Sequence, residues 1–175
     1  ALRPEHLSLY GLSVEKGTPF AEEKKRGCLD LPTEETVIEM YRLAGRQAGE
    51  AGYEHYEISN WALPGFQSRH TRNCWTMEEY DGTGAGAHSF VRSPVAARYR
   101  NIADFTVYTG AIERGESPVA GREDLSTSTV AGEALMLGLR LLEGVDNEHF
   151  RREWGGNPAE LFPEGVTFGL RQGWL

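Results

Sequence analysis

The chain has 175 residues, of which 26 are acidic and 18 are lysine or arginine, so its formal net charge is −8. Such an acidic balance disfavours binding to nucleic acid or to an anionic membrane through bulk charge. The composition is typical of a globular protein, no apolar run approaches the ~20 residues of a membrane span, and no secretion signal opens the chain, so we expect a cytoplasmic location.

The N-terminal half has the pattern of an α/β protein. Alternating residues predict one strand in "HLSLYGLSV" at 6–14 and a second strand in "YEHYEISNWA" at 53–62. Between them, residues 33–52 predict a helix that Thr33 caps and Gly52 ends. A strand, a helix and a strand in this order predict a parallel βαβ unit.

The C-terminal half is predicted to be mostly helical. Residues 63–80 show no steady period, so we expect a loop there, and loops that follow strands often carry function. A short strand is predicted at 97–102. Helices are predicted at 103–116, at 125–145 with Ser126 as its cap, after Asp146, and from Pro163 onward.

The segment "GTGAGAHS" at 82–89 resembles a nucleotide-binding loop only superficially. Its spacing is not G-x-G-x-x-G, and no helical period follows it, so we disfavour that interpretation. An extended segment would place every second residue on one face, namely Gly82, Gly84, Gly86 and His88. A face without side chains allows close approach. The segment therefore predicts either tight packing against the chain or a floor for a flat ligand with His88 at its rim.

Three stretches, in this order and spacing, resemble one protein family. They are "PEHLSLYGLSVEKGTPF" (4–20), "AGYEHYEISNWALPGFQSRH" (51–70) and "GTGAGAHS" (82–89). They are similar to the oxygen-independent coproporphyrinogen III oxidase-like proteins, specifically their radical-SAM haem chaperone branch (HemW-like). The stretch "LMLGLRLLEGVDNEHFRREWG" (135–155) resembles the helical C-terminal region of that branch, so the likeness covers nearly the whole chain.

The resemblance implies an α/β fold: the distal strands and helices of an incomplete (β/α) radical-SAM barrel, followed by a mostly helical C-terminal region. Residues 1–102 would form the barrel part and residues 103–175 a truncated helical domain. The family holds a 4Fe-4S cluster with S-adenosylmethionine on its open iron. Neither Cys28 nor Cys74 matches the cluster motif. We therefore expect the cluster to lie outside this chain, which alone would be inactive as an enzyme.

The haem chaperone branch also carries a motif of the form H-N-x-x-Y-W, implicated in holding haem. The matching stretch here is "HTRNCW", in which His70 and Trp75 agree with the motif while Thr71 and Cys74 replace Asn and Tyr. The resemblance implies that His70 ligates haem iron and that Trp75 stacks on the macrocycle. Cys74 is a second conceivable soft ligand.

Further candidate haem contacts lie near this motif or on the strands. Arg69 and Arg72 suit the haem propionates, with ordinary surface charge as the alternative. Glu57 and Asn60 come at the end of a predicted barrel strand, where such barrels place their sites, with a structural role as the alternative. Gly84, Gly86 and His88 are candidate contacts of the glycine segment. His88 is interpreted first as a buried, hydrogen-bonded histidine and second as a ligand contact.

The predicted function is that of a haem-binding chaperone of the radical-SAM class, which transfers haem to a client such as a respiratory enzyme. An alternative is oxygen-independent coproporphyrinogen III oxidase, which performs an oxidative decarboxylation by a 5′-deoxyadenosyl radical and needs the cluster. A third and weaker alternative is a sugar- or nucleotide-binding α/β domain with an accidental likeness.

Overall fold

The computed structural model describes residues 2–175 and divides into two compact units. Unit 1 ends at Ser68 and unit 2 runs from Arg69 to Leu175. Each unit contains one three-stranded sheet among the described residues. The domain boundary predicted after residue 102 stays a prediction.

Unit 1 is built on a single long helix beside a small sheet. The predicted helix is confirmed, and Thr33 caps it by accepting a hydrogen bond from the backbone N–H of Thr36 at 3.3 Å. The first strand is shorter than predicted, because it ends at Ser8. The elements are β1 (His6–Ser8), α1 (Pro19–Lys25), α2 (Glu34–Glu50), β2 (Glu54–Glu57) and β3 (Asn60–Ala62).

The sheet of unit 1 corrects the predicted parallel pairing. Its strand order is β1-β3-β2, and β3 is antiparallel to both neighbours. The stretch 53–62 is therefore a hairpin, since the chain turns at residues 58–59. β1 and β2 run in the same direction, as a βαβ unit requires, but β3 lies between them. The prediction of one continuous strand was wrong because alternation alone does not reveal a two-residue turn.

Unit 2 contains more strand than its sequence predicts. The helix predicted at 125–145 is confirmed with its Ser126 cap, but it ends at Gly138. The helix capped by Asp146 is also confirmed. The sheet order is β4-β5-β6, antiparallel throughout. The elements are α3 (Arg69–Trp75), β4 (His88–Val91), β5 (Ala97–Asn101), α4 (Phe105–Glu113), β6 (Val119–Asp124), α5 (Thr127–Gly138), α6 (Asn147–Trp154), α7 (Pro158–Leu161) and α8 (Pro163–Gln172).

The core of unit 2 contains Met77, Phe90, Leu125 and Val130. Met77 is 4% exposed and has a φ of 57°, the left-handed conformation that glycine usually supplies after a helix. Two residues after α3, it fixes the end of that helix. The N–H of Glu78 closes the same end by donating to the carbonyl of Asn73 at 2.9 Å.

The glycine segment is not the extended floor that the sequence suggested. The chain turns at 84–86, where Gly84 has a φ of 105° and Gly86 a φ of 70°, so its side chains do not alternate between two faces. The alternative of tight packing is confirmed at Gly82, where a Cβ would lie 2.0 Å from the carbonyl oxygen of His88. The chain passes so close to itself at this point that no side chain fits, which explains why residue 82 is a glycine.

We expect Met77→Ala to lower the free energy of unfolding by about 2–5 kcal/mol, because it empties part of the core. Met77→Gly removes the same contacts but fits the left-handed conformation. At an ordinary helix or strand position glycine is roughly 0.5–1 kcal/mol worse than alanine. Here we expect Met77→Gly to be at least as stable as Met77→Ala in urea denaturation followed by tryptophan fluorescence. If Met77→Ala and the original chain unfolded at the same urea concentration, Met77 would not be the core contact that fixes the end of α3.

Candidate functional site

The predicted haem motif lies on a helix, not in the loop expected at 63–80. Helix α3 spans Arg69–Trp75, and of its seven described residues none is buried. Without a buried face, these residues lack the apolar period by which a helix is recognised in a sequence. The loop prediction was therefore wrong for these seven residues.

Two donor atoms come together on this helix. His70 is exposed and Cys74 is half-buried, and Cys74 Sγ lies 3.9 Å from His70 Nε2. Residues four positions apart are neighbours on one face of a helix. The helix thus presents an imidazole nitrogen and a thiol sulfur, both accessible, at one place on the surface of unit 2.

Trp75 lies on a different face of α3. Five positions separate it from His70, which places it about 140° further around the helix axis. The guanidinium carbon of Arg140 lies 4.3 Å from the centre of the Trp75 ring, a cation–π contact. The structure therefore does not put Trp75 beside His70, and one face of its indole is already covered by Arg140.

The two arginines of the motif differ in their surroundings. Arg69 is exposed at the start of α3. Arg72 Nη2 lies 2.7 Å from Glu143 Oε1, with the two side chains 31% and 59% exposed. Arg72 therefore already binds a carboxylate, the chemical group of a haem propionate. Because this ion pair is partly exposed, it contributes little to the stability of the fold.

Trp75 faces a cleft of about 710 Å³ between α3, the end of α5 and α6. Arg92 lies in the lining of this cleft and makes two contacts there. Its hydrogen bond to the Glu153 carboxyl lowers the pKa of that group, and its guanidinium carbon lies 5.0 Å from the centre of the Trp154 ring. Acidic side chains outnumber the basic one in the lining, so an anionic ligand is disfavoured there. The charged lining residues are Glu78, Arg92, Glu143, Asp146, Glu148 and Glu153.

Glu57 and Asn60 lie in unit 1 and are buried, with 1% and 4% of their surfaces exposed. Asn60 Oδ1 accepts a hydrogen bond from the Ser8 hydroxyl at 2.5 Å, which links β3 to β1. Glu57 Oε1 accepts one from the backbone N–H of Ser59 at 2.7 Å, within the hairpin turn. These contacts agree with the structural role that the sequence left open as the alternative, and a role of either residue as a haem contact stays a prediction.

An aromatic cluster that sequence reasoning missed surrounds this hairpin. His55 stacks on the buried Trp61 with ring centres 4.1 Å apart. The Tyr41 hydroxyl donates to the carbonyl of Ile58 at 2.8 Å. Burial, and then the charge of Glu57, raise the pKa of Tyr41. The signal for this cluster was present only as separate aromatic residues on α2 and the hairpin.

The candidates of the glycine segment are held by the chain itself. His88 is exposed as the first residue of β4, so its interpretation as a buried histidine was wrong. The N–H of Gly84 donates to the Tyr108 hydroxyl at 3.1 Å, and the N–H of Gly86 donates to the carbonyl of Ile102 at 2.9 Å. Their roles as haem contacts stay predictions.

Sequence comparisons agree on one family. Residues 125–175 match the HemN C-terminal domain. The chain is 35% identical over 166 residues to the heme chaperone HemW of Lactococcus lactis, a match covering 95% of this chain and 42% of that protein. It is 36% identical over 175 residues to HemW of a Synechocystis species, covering 100% of this chain and 42% of that protein. By these matches, the chain corresponds to the C-terminal part of proteins of the HemW-like radical-SAM family.

A solved structure confirms the predicted fold class of this HemW-like chain. The chain resembles coproporphyrinogen III oxidase (HemN) from Escherichia coli with a TM-score of 0.71 and 14% sequence identity. The match covers 98% of this chain and 41% of the oxidase chain. The mixed helices and sheets of the HemW-like chain thus form part of the radical-SAM oxidase fold, and the chain spans about two fifths of its relatives' length.

Two further observations limit the site. Within residues 2–175, no three histidine, cysteine, aspartate or glutamate side chains lie together as a metal site. His70 and Cys74 are therefore a set of two donors, which suits a metal that is already bound by other ligands.

None of the helices that the structure describes is both long enough and apolar enough to cross a membrane.

We expect Glu57→Gln to lower the pKa of Tyr41 part of the way to its ordinary value, since the charge is removed while burial remains. The raised pKa means that the folded chain holds the phenolic proton more tightly than the unfolded chain does. Stability should therefore fall as the pH rises above about 10 towards the raised pKa. Alkaline titration of tyrosinate absorbance measures the shift, and Tyr41→Phe assigns it. An unchanged Tyr41 titration in Glu57→Gln would refute the coupling.

Proposed function

We propose that this chain is the haem-holding part of a radical-SAM haem chaperone, which passes haem to a client protein such as a respiratory enzyme in the cytoplasm. The proposal is carried by one observation: His70 Nε2 and Cys74 Sγ lie 3.9 Å apart on the exposed side of α3. Support also comes from the identity of 35% and 36% to two proteins named heme chaperone HemW.

The donors of α3 fit the chemistry of haem. Haem iron takes an imidazole nitrogen or a thiolate as its axial ligand, and the macrocycle supplies the four remaining nitrogens. Two protein donors are therefore sufficient, whereas a bare metal ion would need more ligands from the chain. Since His70 and the helix around it are accessible, haem placed there could be loaded and released, as a carrier requires.

Local charge favours the same face. The sequence of α3 contains Arg69 and Arg72 and no acidic residue, although the chain as a whole has a net charge of −8. Haem carries two propionates, which guanidinium groups bind well. The cleft beside Trp75 is lined mainly by carboxylates. We therefore place haem on the His70 face of α3, with its propionates towards Arg69. Arg72, two positions from His70, lies on the opposite side of the helix and adds only general positive charge.

The cluster and S-adenosylmethionine belong to the proposed whole protein. This chain covers 42% of the length of each of the two matched relatives, so both relatives are more than twice as long as the chain. We propose that residues outside the 175 hold both groups, and that the chain combines the end of a barrel (1–102) with a helical domain (103–175).

The family model and the fold also favour a second candidate, coproporphyrinogen III oxidation. The oxidase structure shares 14% identity with the chain, against 35% for the chaperone from Lactococcus lactis. This difference favours the chaperone. An anaerobic assay of a protein that includes both this chain and the cluster region, with coproporphyrinogen III and S-adenosylmethionine, separates the two. Formation of protoporphyrinogen would favour the oxidase.

We expect His70→Ala to weaken haem binding by at least roughly tenfold, which is about 1.4 kcal/mol, because the iron loses its nitrogen ligand. The measurement is a titration of the chain with ferrous haem, kept reduced by dithionite, followed by the Soret band. The matched controls are His88→Ala and His149→Ala, since both histidines are exposed in unit 2. His149 also lines the acidic cleft, so it tests the rival location.

The proposal requires that, among these three variants, only His70→Ala binds haem more weakly than the original chain. A normal titration of His70→Ala would remove His70 from the site. Loss of binding in His149→Ala instead would move the haem from α3 to the cleft. Because the three side chains are exposed, we expect the variants to stay folded, and circular dichroism checks this.

We expect Glu143→Gln to change haem binding by the same small factor as Glu116→Gln, because Arg72, the partner of Glu143, lies on the side of α3 opposite His70 and does not face the proposed haem. Glu116→Gln is the control, because it breaks another exposed ion pair of unit 2 and changes the net charge equally. A titration of each variant with haem, followed by the Soret band, measures the two affinities. A clearly tighter haem affinity in Glu143→Gln alone would show that Arg72 reaches the propionates and would contradict this arrangement.

A further inference from the structure

We infer that Cys74 and His70 are alternative ligands of the same haem iron, with Cys74 holding the ferric form and His70 the ferrous form. This inference depends on the proposed function, since it concerns haem on α3. It goes further by giving a function to the cysteine that replaces the tyrosine of the family motif.

The first step is geometric. Cys74 Sγ and His70 Nε2 are 3.9 Å apart on one face of α3. Side chains on neighbouring turns have Cβ atoms only about 5–6 Å apart, and the helix itself closes the gap on one side. A porphyrin ring extends too far from its iron to enter that gap. Both donors therefore approach the iron from the same side, where only one axial position exists.

The second step is electrostatic. A thiolate carries a negative charge, and its attraction to iron grows with the charge of the metal. An imidazole binds as a neutral ligand. Oxidised iron therefore favours Cys74, and reduced iron loses part of that preference.

The exchange balances in atoms and electrons. Cys74 gives its proton to water when it binds ferric iron as a thiolate. A one-electron donor, such as a reduced iron–sulfur centre or dithionite in the experiment, then reduces the iron. The Cys74 sulfur leaves with its electron pair and takes one proton from water, while the lone pair of His70 Nε2 forms the new bond. One electron and one proton are taken up for each exchange.

The other cysteine lacks this arrangement. Cys28 is exposed, and the contact described for its sulfur is the carbonyl of Arg26 at 3.7 Å. It lies in unit 1, on a stretch without a histidine one turn away. Cys28→Ser is therefore a matched control for the loss of a thiol.

The experiment loads the chain and its variants with haem and records the absorption and electron paramagnetic resonance spectra before and after dithionite. We expect Cys74→Ser to lose the thiolate signature of the ferric state, to keep the ferrous spectrum, and to raise the midpoint potential of the bound haem. His70→Ala should keep the ferric thiolate signature and change the ferrous spectrum. Cys28→Ser should change neither.

Cys74→Tyr, which restores the residue of the family motif, gives a second test. It should also lose the ferric thiolate signature while His70 still binds reduced iron. A ferric spectrum of Cys74→Ser equal to that of the original chain would overturn the ligand exchange and leave the proposed function standing. Failure of the original chain to bind haem at all would overturn both.

Discussion

The burial of Met77 holds the candidate site in place. Helix α3 has seven residues, fewer than the roughly 12–15 that an isolated helix needs, and none of these described residues is buried. The core contact of Met77 and the bond from Glu78 to Asn73 fix its C-terminal end. The orientation of the donors therefore depends on residues outside the motif that carries them.

The polar groups of the two units serve different purposes. In unit 1, Glu57 and Asn60 are buried. Glu57 accepts a hydrogen bond from the backbone N–H of Ser59, and Asn60 accepts one from the Ser8 hydroxyl, so both residues shape the hairpin. In unit 2, His70 and Cys74 are accessible. Buried polar groups stabilise one arrangement, whereas exposed donors can exchange partners. A protein that delivers a cofactor needs the second kind of site.

The sequence predicted the elements whose signals are local. The caps Thr33, Ser126 and Asp146 lie next to the helices that they begin, and all three were correct. Helix α3 was missed because it has no fully buried apolar face. It is held by the Met77 anchor and by tertiary contacts such as that of Trp75 with Arg140, which its own sequence does not reveal. The pairing of His70 with Cys74 could have been predicted once the stretch was known to be helical, because residues four positions apart are neighbours on one face of a helix.

The contact between Arg72 and Glu143 has a consequence for selectivity. An intramolecular partner acts at a high effective concentration, so a free carboxylate competes with it poorly. Small organic acids should therefore leave the pair between Arg72 and Glu143 in place. Selectivity for any larger ligand on the opposite side of α3 would then have to come from His70 and Cys74, because Arg72 does not face that side.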